Sequence, residues 1–349
     1  MSASKSSTSA SASASASRPR GLILTVTCPD KPGIVTKLTG LISALSYNIV
    51  ESAQYGDARS GRFFMRILFV PTSATAEAEE GQSAKEKVKR AFEEKLQDEL
   101  EAQFEIREET EKVRTLIMVS KIGHCIHDLL YRMQTNTLPI EVPLIISNHP
   151  DFEPLAKSYN IPFHYLPIKP DEGKTKAWQE GEVIKLCKQH NIELVVLARY
   201  MQILSENLCS TLNANQPQPT LIINIHHSML PAFAGGFPYR QAWERGTKLV
   251  GATAHFATAD LDEGPIICQD AQQVTHAQGP LQLQQEGEDV ERRVLARAVK
   301  LYAQRRVFIN GNKVSRPPHG ISEALRTHRC YLSLTPLIGL CGKQTVVFS

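Results

Sequence analysis

An asparagine and a histidine stand two residues apart, at Asn224 and His226, directly after an apolar run at residues 221–223. In an extended segment, side chains two residues apart point to the same side, so we expect the amide and the imidazole to face one site. An amide N–H can stabilise an oxyanion, and an imidazole can move protons at neutral pH. This pair suits attack on a carbonyl.

Two further residues, His255 and Asp262, follow along the chain. A carboxylate near His226 would orient the imidazole and favour its protonated form. Each residue alone also has a structural interpretation. A histidine at a strand end is commonly a hydrogen-bonded structural residue, and Asp262 stands ahead of Gly264 as a turn residue would. Spacing alone does not show that these residues meet.

Length and composition bound the class of protein. The chain has 349 residues, enough for two domains, and its 42% hydrophobic and 21% charged residues are ordinary for a globular protein. The net charge of +3 is too mild to indicate nucleic-acid binding, and no apolar run approaches the ~18 residues of a membrane span. The seven cysteines include no C-x-x-C pair, and no cysteines and histidines have zinc-ligand spacing. We expect a reducing compartment, no metal, no nucleic-acid partner and no membrane contact.

The first twenty residues are Ser/Ala repeats with three basic residues and no acidic one. This composition is typical of a disordered tail. An organelle transit peptide is also rich in serine and poor in acids, but it needs large apolar residues on an amphipathic face, and the repeats have none. We expect a cytoplasmic protein, with a mitochondrial location as the alternative.

Residues 21–110 have the β-α-β-β-α-β order of the ferredoxin-like pattern. Hydrophobic spacing predicts strands at 22–27, 48–55, 63–70 and 104–107, and helices at 34–46 and 85–100. The element order and the loop Asp30-Lys31-Pro32-Gly33-Ile34-Val35 resemble the ACT domain, a small ligand-sensing module. The resemblance implies an amino-acid effector held by Asp30, Gly33 and Ile34 at an interface between copies. Pure assembly of a homo-oligomer is the alternative.

Residues 113–313 alternate apolar strands with helices, which predicts an open, mostly parallel Rossmann-like sheet. Predicted strands lie at 115–120, 142–147, 163–167, 194–198, 220–224 and 307–309, and predicted helices at 124–134, 152–159, 174–190, 205–212 and 293–304. Ligands bind such sheets near the carboxyl ends of the strands. Residues 314–349 have no clear period, and we interpret 314–344 as an insertion.

The strand at 115–120 is followed by Lys121-Ile122-Gly123-His124-Cys125 rather than by a glycine-rich loop. A single glycine cannot make a phosphate cradle. Neither a dinucleotide cofactor nor a phosphorylated substrate is therefore expected.

Residues 113–313 resemble the folate-dependent formyltransferase family, which includes the glycinamide ribonucleotide transformylases. The resemblance rests on Asn224-x-His226-x-Ser228-x-Leu230-Pro231, on His255, and on Leu261-Asp262-Glu263-Gly264-Pro265-Ile266. It implies that Asn224, His226 and Asp262 form the catalytic set.

Within that family, the formyltetrahydrofolate deformylases are the most similar group. This closer resemblance rests on the ACT-like domain, on the missing phosphate loop, and on His226-His227-Ser228, Ser147-Asn148-His149-Pro150-Asp151 and Gly236-x-Pro238-Tyr239-x-Gln241-Ala242. It implies hydrolysis of 10-formyltetrahydrofolate to formate and tetrahydrofolate, with water as the acceptor and no cofactor. The implied role is to balance one-carbon pools and to supply formate for purine biosynthesis.

The resemblance also implies a pterin-binding segment after the strand at 194–198. Its substrate-binding residues would be Tyr200, Met201, Gln202, Ile203 and Leu204, together with His255, and His227 would support the site. Gln202 stands where relatives commonly have arginine. Two alternatives remain open: a formyl transferase acting on an amine acceptor, and a catalytically silent sensor that binds folate and an amino acid.

Overall fold

A computed structural model describes residues 20–72, 82–214, 220–232 and 238–316, without the side chains of residues 82 and 83. Three sequence interpretations fall outside these residues: the Ser/Ala-rich tail up to residue 19, Gly236 of the short pattern, and residues 317–349 of the C-terminal segment. Within the described ranges, no helix combines the length and the apolar character needed to cross a membrane.

The N-terminal part of the chain forms an antiparallel four-stranded sheet with helices, which confirms the predicted ferredoxin-like fold. Its strands are β1 (Leu22–Pro29), β2 (Tyr47–Asp57), β3 (Arg62–Pro71) and β4 (Gln103–Glu108), in the spatial order β2-β3-β1-β4. Its helices are α1 (Ile34–Ala44) and α2 (Gln82–Phe92), the latter continued by a π-helical turn, Glu93–Gln97, and a short helix, Asp98–Leu100. Apolar residues at helical spacing bury one face of α1: Ile34, Leu38, Leu41 and Ile42.

The C-terminal part contains a seven-stranded sheet in the spatial order β11-β10-β9-β8-β5-β6-β7. Its strands are β5 (Val113–Val119), β6 (Ile140–Ser147), β7 (Phe163–Tyr165), β8 (Leu194–Leu197), β9 (Leu221–His226), β10 (Leu249–Phe256) and β11 (Ile266–Gln273). Five strands that are neighbours in space, β7, β6, β5, β8 and β9, pair in parallel. Strand β10 pairs antiparallel with both β9 and β11. The predicted open, mostly parallel sheet is therefore confirmed.

Helices cover both faces of this sheet. They are α3 (His124–Gln134), α4 (Glu153–Ser158), α5 (Lys176–Gln189), α6 (Glu206–Asn213), α7 (Pro238–Glu244) and α8 (Pro280–Ala303), with a 3-10 turn at Pro170–Glu172 and a closing hairpin of β12 (Phe308–Asn310) and β13 (Lys313–Ser315). Alternate residues of the central strands divide the core. Ile117 and Val196 pack with α3 and α8, while Leu116 and Val195 pack with α5 and α6. The central strands are apolar throughout because both of their faces are covered.

Hydrophobic spacing in the sequence does not predict the antiparallel edge strands β10 and β11. Small residues such as Gly251, Ala252 and Ala254 are buried along β10 and produce no apolar alternation. Helix α8 begins at Pro280 rather than at 293, so its predicted start was wrong. Its first turns are rich in glutamine and glutamate, and their apolar stripe is too sparse to identify a helix from periodicity.

A partly buried ion-pair cluster joins the two parts of the chain. Glu51 on β2 accepts hydrogen bonds from both terminal nitrogens of Arg306, at 2.7 and 2.9 Å, and from Nη1 of Arg66 at 3.3 Å. Arg66 also donates from Nε to the carbonyl oxygen of Gln304, just after α8. Burial and the neighbouring charge of Arg306 lower the pKa of Arg66 to about 10. Arg66 therefore stays charged at neutral pH, with Glu51 as a counter-ion.

Replacing Glu51 by alanine is expected to lower the free energy of unfolding by about 3 kcal/mol, because Arg66 would be left buried without this counter-ion. The control is Glu99→Ala, since the Lys37–Glu99 pair lies on the surface. Loss of that pair is expected to cost less than about 1 kcal/mol. Urea unfolding followed by circular dichroism would measure both changes. Equal losses in the two variants would contradict a structural role for the Glu51 cluster.

Candidate active site

A cavity of about 670 Å³ lies at the carboxyl ends of β8 and β9. Its polar lining includes Asn224, His226 and Asp262, and its apolar lining includes Leu197 and Ile203. The volume is within the range of sites that enclose a small organic molecule. The structure thus brings the three predicted catalytic residues to the edge of the sheet where ligands usually bind.

Asp262 lies close to two histidines. Its Oδ2 is 3.1 Å from Nδ1 of His226, and its Oδ1 is 3.6 Å from Nε2 of His255. The backbone of Asp262 is left-handed, with a φ of 59°. The loop turns back tightly on β10 at Gly264, where a Cβ would lie 1.7 Å from the carbonyl oxygen of Phe256. This close approach requires glycine and directs the carboxylate towards the histidines on the strands.

The Asp262 carboxylate is ionised at neutral pH. Burial would raise the pKa of this carboxyl, but the hydrogen bond from Nδ1 of His226 lowers it, and the pKa lies well below its usual range. A carboxylate can only accept hydrogen bonds, so Nδ1 of His226 is the donor. In neutral His226, the ring proton then sits on Nδ1 and the lone pair on Nε2.

His255 orients the amide of Asn224. Nδ1 of His255 lies 3.0 Å from the carbonyl oxygen of Phe256 and must donate to it. Neutral His255 therefore accepts at Nε2, where Nδ2 of Asn224 donates at 3.1 Å. The two residues meet because they are directly opposite each other in the β9–β10 pair. One amide hydrogen of Asn224 is used in this way, and the other remains for the cavity.

The Nε2 atom of His226 is buried and has no hydrogen-bond partner among the described residues. A buried polar atom without a partner is costly, and such atoms are often found where a site binds its reactant. The site thus combines a proton acceptor at His226, a carboxylate behind it at Asp262, and an amide donor at Asn224. These three groups can promote the attack of water on an acyl carbon and stabilise the oxyanion that forms.

All five residues of the predicted pterin-binding segment line the cavity: Tyr200, Met201, Gln202, Ile203 and Leu204. The side chains of Met201 and Ile203 are exposed and apolar, as suits a wall against which a flat ring can pack. Tyr200 differs, because its hydroxyl is buried and donates to Oε1 of Gln179 at 2.8 Å. The Tyr200 hydroxyl therefore points into the protein interior.

Two hydrogen bonds anchor this segment. The backbone N–H of Met201 donates to Oγ of Ser120 at 3.0 Å, and the Ser120 hydroxyl donates to Oδ1 of Asn148 at 2.7 Å. Asn148 belongs to one of the short patterns found in the sequence. Ser120 follows β5 and carried no signal of its own, because one serine at a strand end is too common to interpret.

The residues predicted to hold an effector lie in the N-terminal part of the chain, and none of Asp30, Gly33 and Ile34 lines the cavity. Gly33 precedes α1 with a φ of 90° and provides no side-chain cap. The side chain of Ile34 is buried in the N-terminal core, so only its backbone can face a ligand.

Sequence reasoning missed a second polar group in the cavity, centred on Glu291 of α8. Its Oε1 accepts a hydrogen bond from the hydroxyl of Tyr239 at 2.5 Å. Its Oε2 lies 2.9 Å from Nε2 of His124 and 3.4 Å from Nε of Arg199. A single glutamate in a charged helix normally faces solvent, so its pattern gave no sign of this role.

His124, Cys125 and Glu291 bring three potential metal-ligand atoms within 4.8 Å of one another. Burial raises the pKa of the Cys125 thiol well above its usual range, so the thiolate that a metal requires is disfavoured. The Arg199 guanidinium beside Glu291 also repels a cation. The chemistry of this set therefore favours an internal ion pair over a metal centre.

His227 lies between the two polar groups. Its ring centroid is 5.2 Å from that of His226 and 5.9 Å from that of Tyr239. Burial, and after it the charge of Arg199, lowers the pKa of His227 to about 4. His227 is therefore neutral at neutral pH, which suits packing between the two groups.

Acidification is expected to destabilise the fold through His227. The folded-state pKa of about 4 is below the ordinary value of 6.5. The unfolded chain thus binds the proton first, and stability is lost as the pH falls through this window. Relative to His227→Gln, the wild type is expected to lose about 3 kcal/mol between about pH 7 and about pH 4. Urea unfolding at a series of pH values would measure this loss.

The control for this measurement is His276→Gln, at an exposed position. Its stability is expected to change with pH in parallel with that of the wild type. Parallel curves for the wild type and His227→Gln would instead rule out a depressed pKa at His227.

Comparison with known proteins agrees with this geometry. A protein-family model described as "Formyl transferase" matches residues 113–299. The formyltetrahydrofolate deformylase of Corynebacterium sp. (strain P-1) is 44% identical over 291 residues, covering 83% of this chain and 96% of the relative.

Solved structures of the same fold also match this chain. The formyltetrahydrofolate deformylase from Burkholderia mallei matches with a TM-score of 0.76 and 42% identity, covering 85% of this chain and 99% of that one. Glycinamide ribonucleotide transformylase 1 from Symbiobacterium toebii matches with a TM-score of 0.54 and 28% identity, covering 60% of this chain and 95% of that one. The chain therefore belongs to the formyltetrahydrofolate deformylase family.

Proposed function

We propose that this chain hydrolyses 10-formyltetrahydrofolate to formate and tetrahydrofolate. The proposal rests on the hydrogen bond between His226 and the ionised Asp262, beside Asn224 in a cavity with apolar walls. The relatives are named for a deformylase acting on formyltetrahydrofolate. The exposed apolar side chains of Met201 and Ile203 are suited to packing against its pterin ring.

In the proposed reaction, Nε2 of His226 accepts a proton from water while the water oxygen bonds to the formyl carbon. The formyl oxygen becomes an oxyanion, and the second amide hydrogen of Asn224 donates to it. Asp262 stabilises the imidazolium that forms at His226. The bond between the formyl carbon and N10 then breaks, and His226 returns the proton to N10. Formic acid leaves and ionises to formate, and tetrahydrofolate is the second product.

His255 acts as a positioning residue in this scheme. Its hydrogen bond to Asn224 fixes which way the amide faces, so that an N–H rather than the amide oxygen points to the oxyanion. A catalytically silent sensor would need neither this orientation nor an ionised Asp262 behind a histidine. Hydrolysis is therefore favoured over the sensor.

Replacing Asp262 by asparagine is expected to reduce the kcat of formate release at least about a hundredfold, because the imidazolium loses its counter-ion. The assay would measure formate from 10-formyltetrahydrofolate with no acceptor added. Asp260→Asn, at an exposed position in the same loop, is the matched control and is expected to retain activity. Near-normal turnover by Asp262→Asn would refute the assignment of this carboxylate.

We also infer that the N-terminal part binds a free amino acid, between copies of a homo-oligomer. The Asp30 carboxylate stands near the start of α1 and can accept from an ammonium group. Gly33 leaves the start of α1 without a side-chain cap, so backbone N–H groups there suit a carboxylate. A role in assembly alone gives no reason for an acidic side chain to stand next to uncapped backbone N–H groups.

Thermal unfolding in the presence of each of the twenty common amino acids would test this site. At least one is expected to raise the Tm of the wild type, and Asp30→Asn is expected to abolish that shift because the ammonium group loses its partner. Asp98→Asn, which removes an exposed carboxylate from the same part of the chain, is expected to leave the shift unchanged. No shift with any amino acid would favour the assembling role.

A further inference from the structure

Helix α5 carries two polar side chains on the face that it buries. Its buried residues form one stripe at helical spacing: Gln179, Glu180, Val183, Leu186 and Cys187. The last three belong to the apolar core, whereas Gln179 and Glu180 are polar and only 2% and 6% exposed. A buried polar group is costly unless it is hydrogen-bonded, so the partners of these two side chains indicate their role.

The side chain of Gln179 holds the start of residues 200–204, the segment that lines the cavity. Its Oε1 accepts a hydrogen bond from the hydroxyl of Tyr200 at 2.8 Å, and its Nε2 donates to the carbonyl oxygen of Leu166. Both ends of the amide are thus used, which fixes its orientation. The first residue of the segment is thereby bound to α5.

The carboxylate of Glu180 holds the end of the same segment, at Ser205. Its Oε1 accepts from the backbone N–H of Ser205 at 2.9 Å, and its Oε2 accepts from the Ser205 hydroxyl. The hydroxyl in turn accepts from the backbone N–H of Leu208 and caps α6. Nζ of Lys176, one turn earlier on α5, lies 4.0 Å from Oε1 of Glu180 and partly balances its charge. Adjacent residues of one helix therefore bind both ends of the segment.

The segment depends on such side chains because its own backbone contributes little. Within the described ranges, residues 200–204 form no hydrogen bond from backbone to backbone. Arg199, directly before them, is left-handed with a φ of 62°. A residue with a side chain rarely adopts this conformation, which persists only where the surrounding structure holds it. The side chains of Met201 and Ile203 are exposed and cannot anchor the segment themselves.

We propose that Glu180 is a positioning residue for the substrate, because through Ser205 it fixes the backbone that presents Met201 and Ile203 to the pterin ring. The proposal rests on the proposed function, since it requires a folate in the cavity. Glu180 is not among the residues that line this cavity, so it acts through the segment rather than by touching the ligand. The competing role is a structural one, in which Glu180 only joins α5 to α6.

Isothermal titration of the full chain with tetrahydrofolate, the proposed product, would test the positioning role. Glu180→Ala removes both acceptors of Ser205 and is expected to raise the Kd at least about tenfold, because the ligand must then order the segment. Glu180→Gln decides the matter if the alanine variant does not fold. It keeps the size of the side chain and places an amide N–H against a hydroxyl that donates, so the Kd is expected to rise at least about threefold.

The matched control is Leu186→Ala, because Leu186 is buried on the same face of α5, nearly two turns beyond Glu180. This variant is expected to lower the free energy of unfolding by leaving a cavity in the core, with no change in the Kd for tetrahydrofolate. A folded Glu180→Ala variant that binds as tightly as the wild type would overturn the proposal. An equal loss of affinity in Leu186→Ala would also overturn it, since the effect would then follow stability alone.

Steady-state formate release separates binding from chemistry. Glu180→Ala is expected to raise KM while kcat changes less than about threefold, because Asn224, His226 and Asp262 are held by β9 and the loop after β10. A fall in kcat with an unchanged KM would contradict the positioning role. A wild type that neither binds tetrahydrofolate nor releases formate would instead refute the proposed hydrolysis.

Amide hydrogen exchange measures the anchoring without any ligand, so the two failures are distinguishable. The N–H of Ser205 is hydrogen-bonded to Glu180, and the peptide that contains it is expected to exchange at least about tenfold faster in Glu180→Ala than in the wild type. Exchange no faster than in Leu186→Ala would show that Glu180 does not hold the segment.

Discussion

Two ionised carboxylates, Asp262 and Glu291, must be kept in one partly buried cavity, and much of the surrounding structure meets this requirement. Each would be costly without compensation, because burial penalises the charged form. Asp262 is stabilised by the hydrogen bond from His226, and Glu291 by His124, Arg199 and Tyr239. The two groups are separated by neutral His227, so the cavity holds two charge-compensated clusters.

The topology of the sheet explains how residues distant in sequence reach this cavity. Parallel pairing of β8 with β9 places Leu197 directly beside Asn224, so the loop after β8 begins next to the amide. Antiparallel pairing of β10 with β9 then places His255 opposite Asn224 and Thr253 opposite His226. Because β10 runs antiparallel to β9, its last residue, Phe256, lies beside Ile223, and the loop that follows brings Asp262 within hydrogen-bonding distance of His226.

The sequence predicted the parallel core, the ferredoxin-like part and the cavity residues Asn224, His226 and Asp262, because these rest on local periodicity or on a long specific motif. It did not predict β10 or the Glu291 cluster. Small buried residues leave no alternation in β10, and a cluster that joins His124 to Glu291 has no spacing to recognise. Its members come from three helices and one loop, and only the folded chain shows that their charges compensate one another.

Helix α8 links the cavity to the N-terminal part of the chain. Glu291 lies in its middle and lines the cavity, while Gln304 and Arg306, just beyond its last turn, are bound by Arg66 and Glu51. From residue 291 to its end, the helix extends roughly 20 Å, at about 1.5 Å per residue. A continuous helix moves largely as a rigid body, so a change in packing at the Glu51 cluster would displace Glu291 relative to Arg199 and Tyr239. Coupling between the two parts would therefore affect the Glu291 cluster more directly than the Asp262–His226 pair, which is held by β9 and the loop after β10.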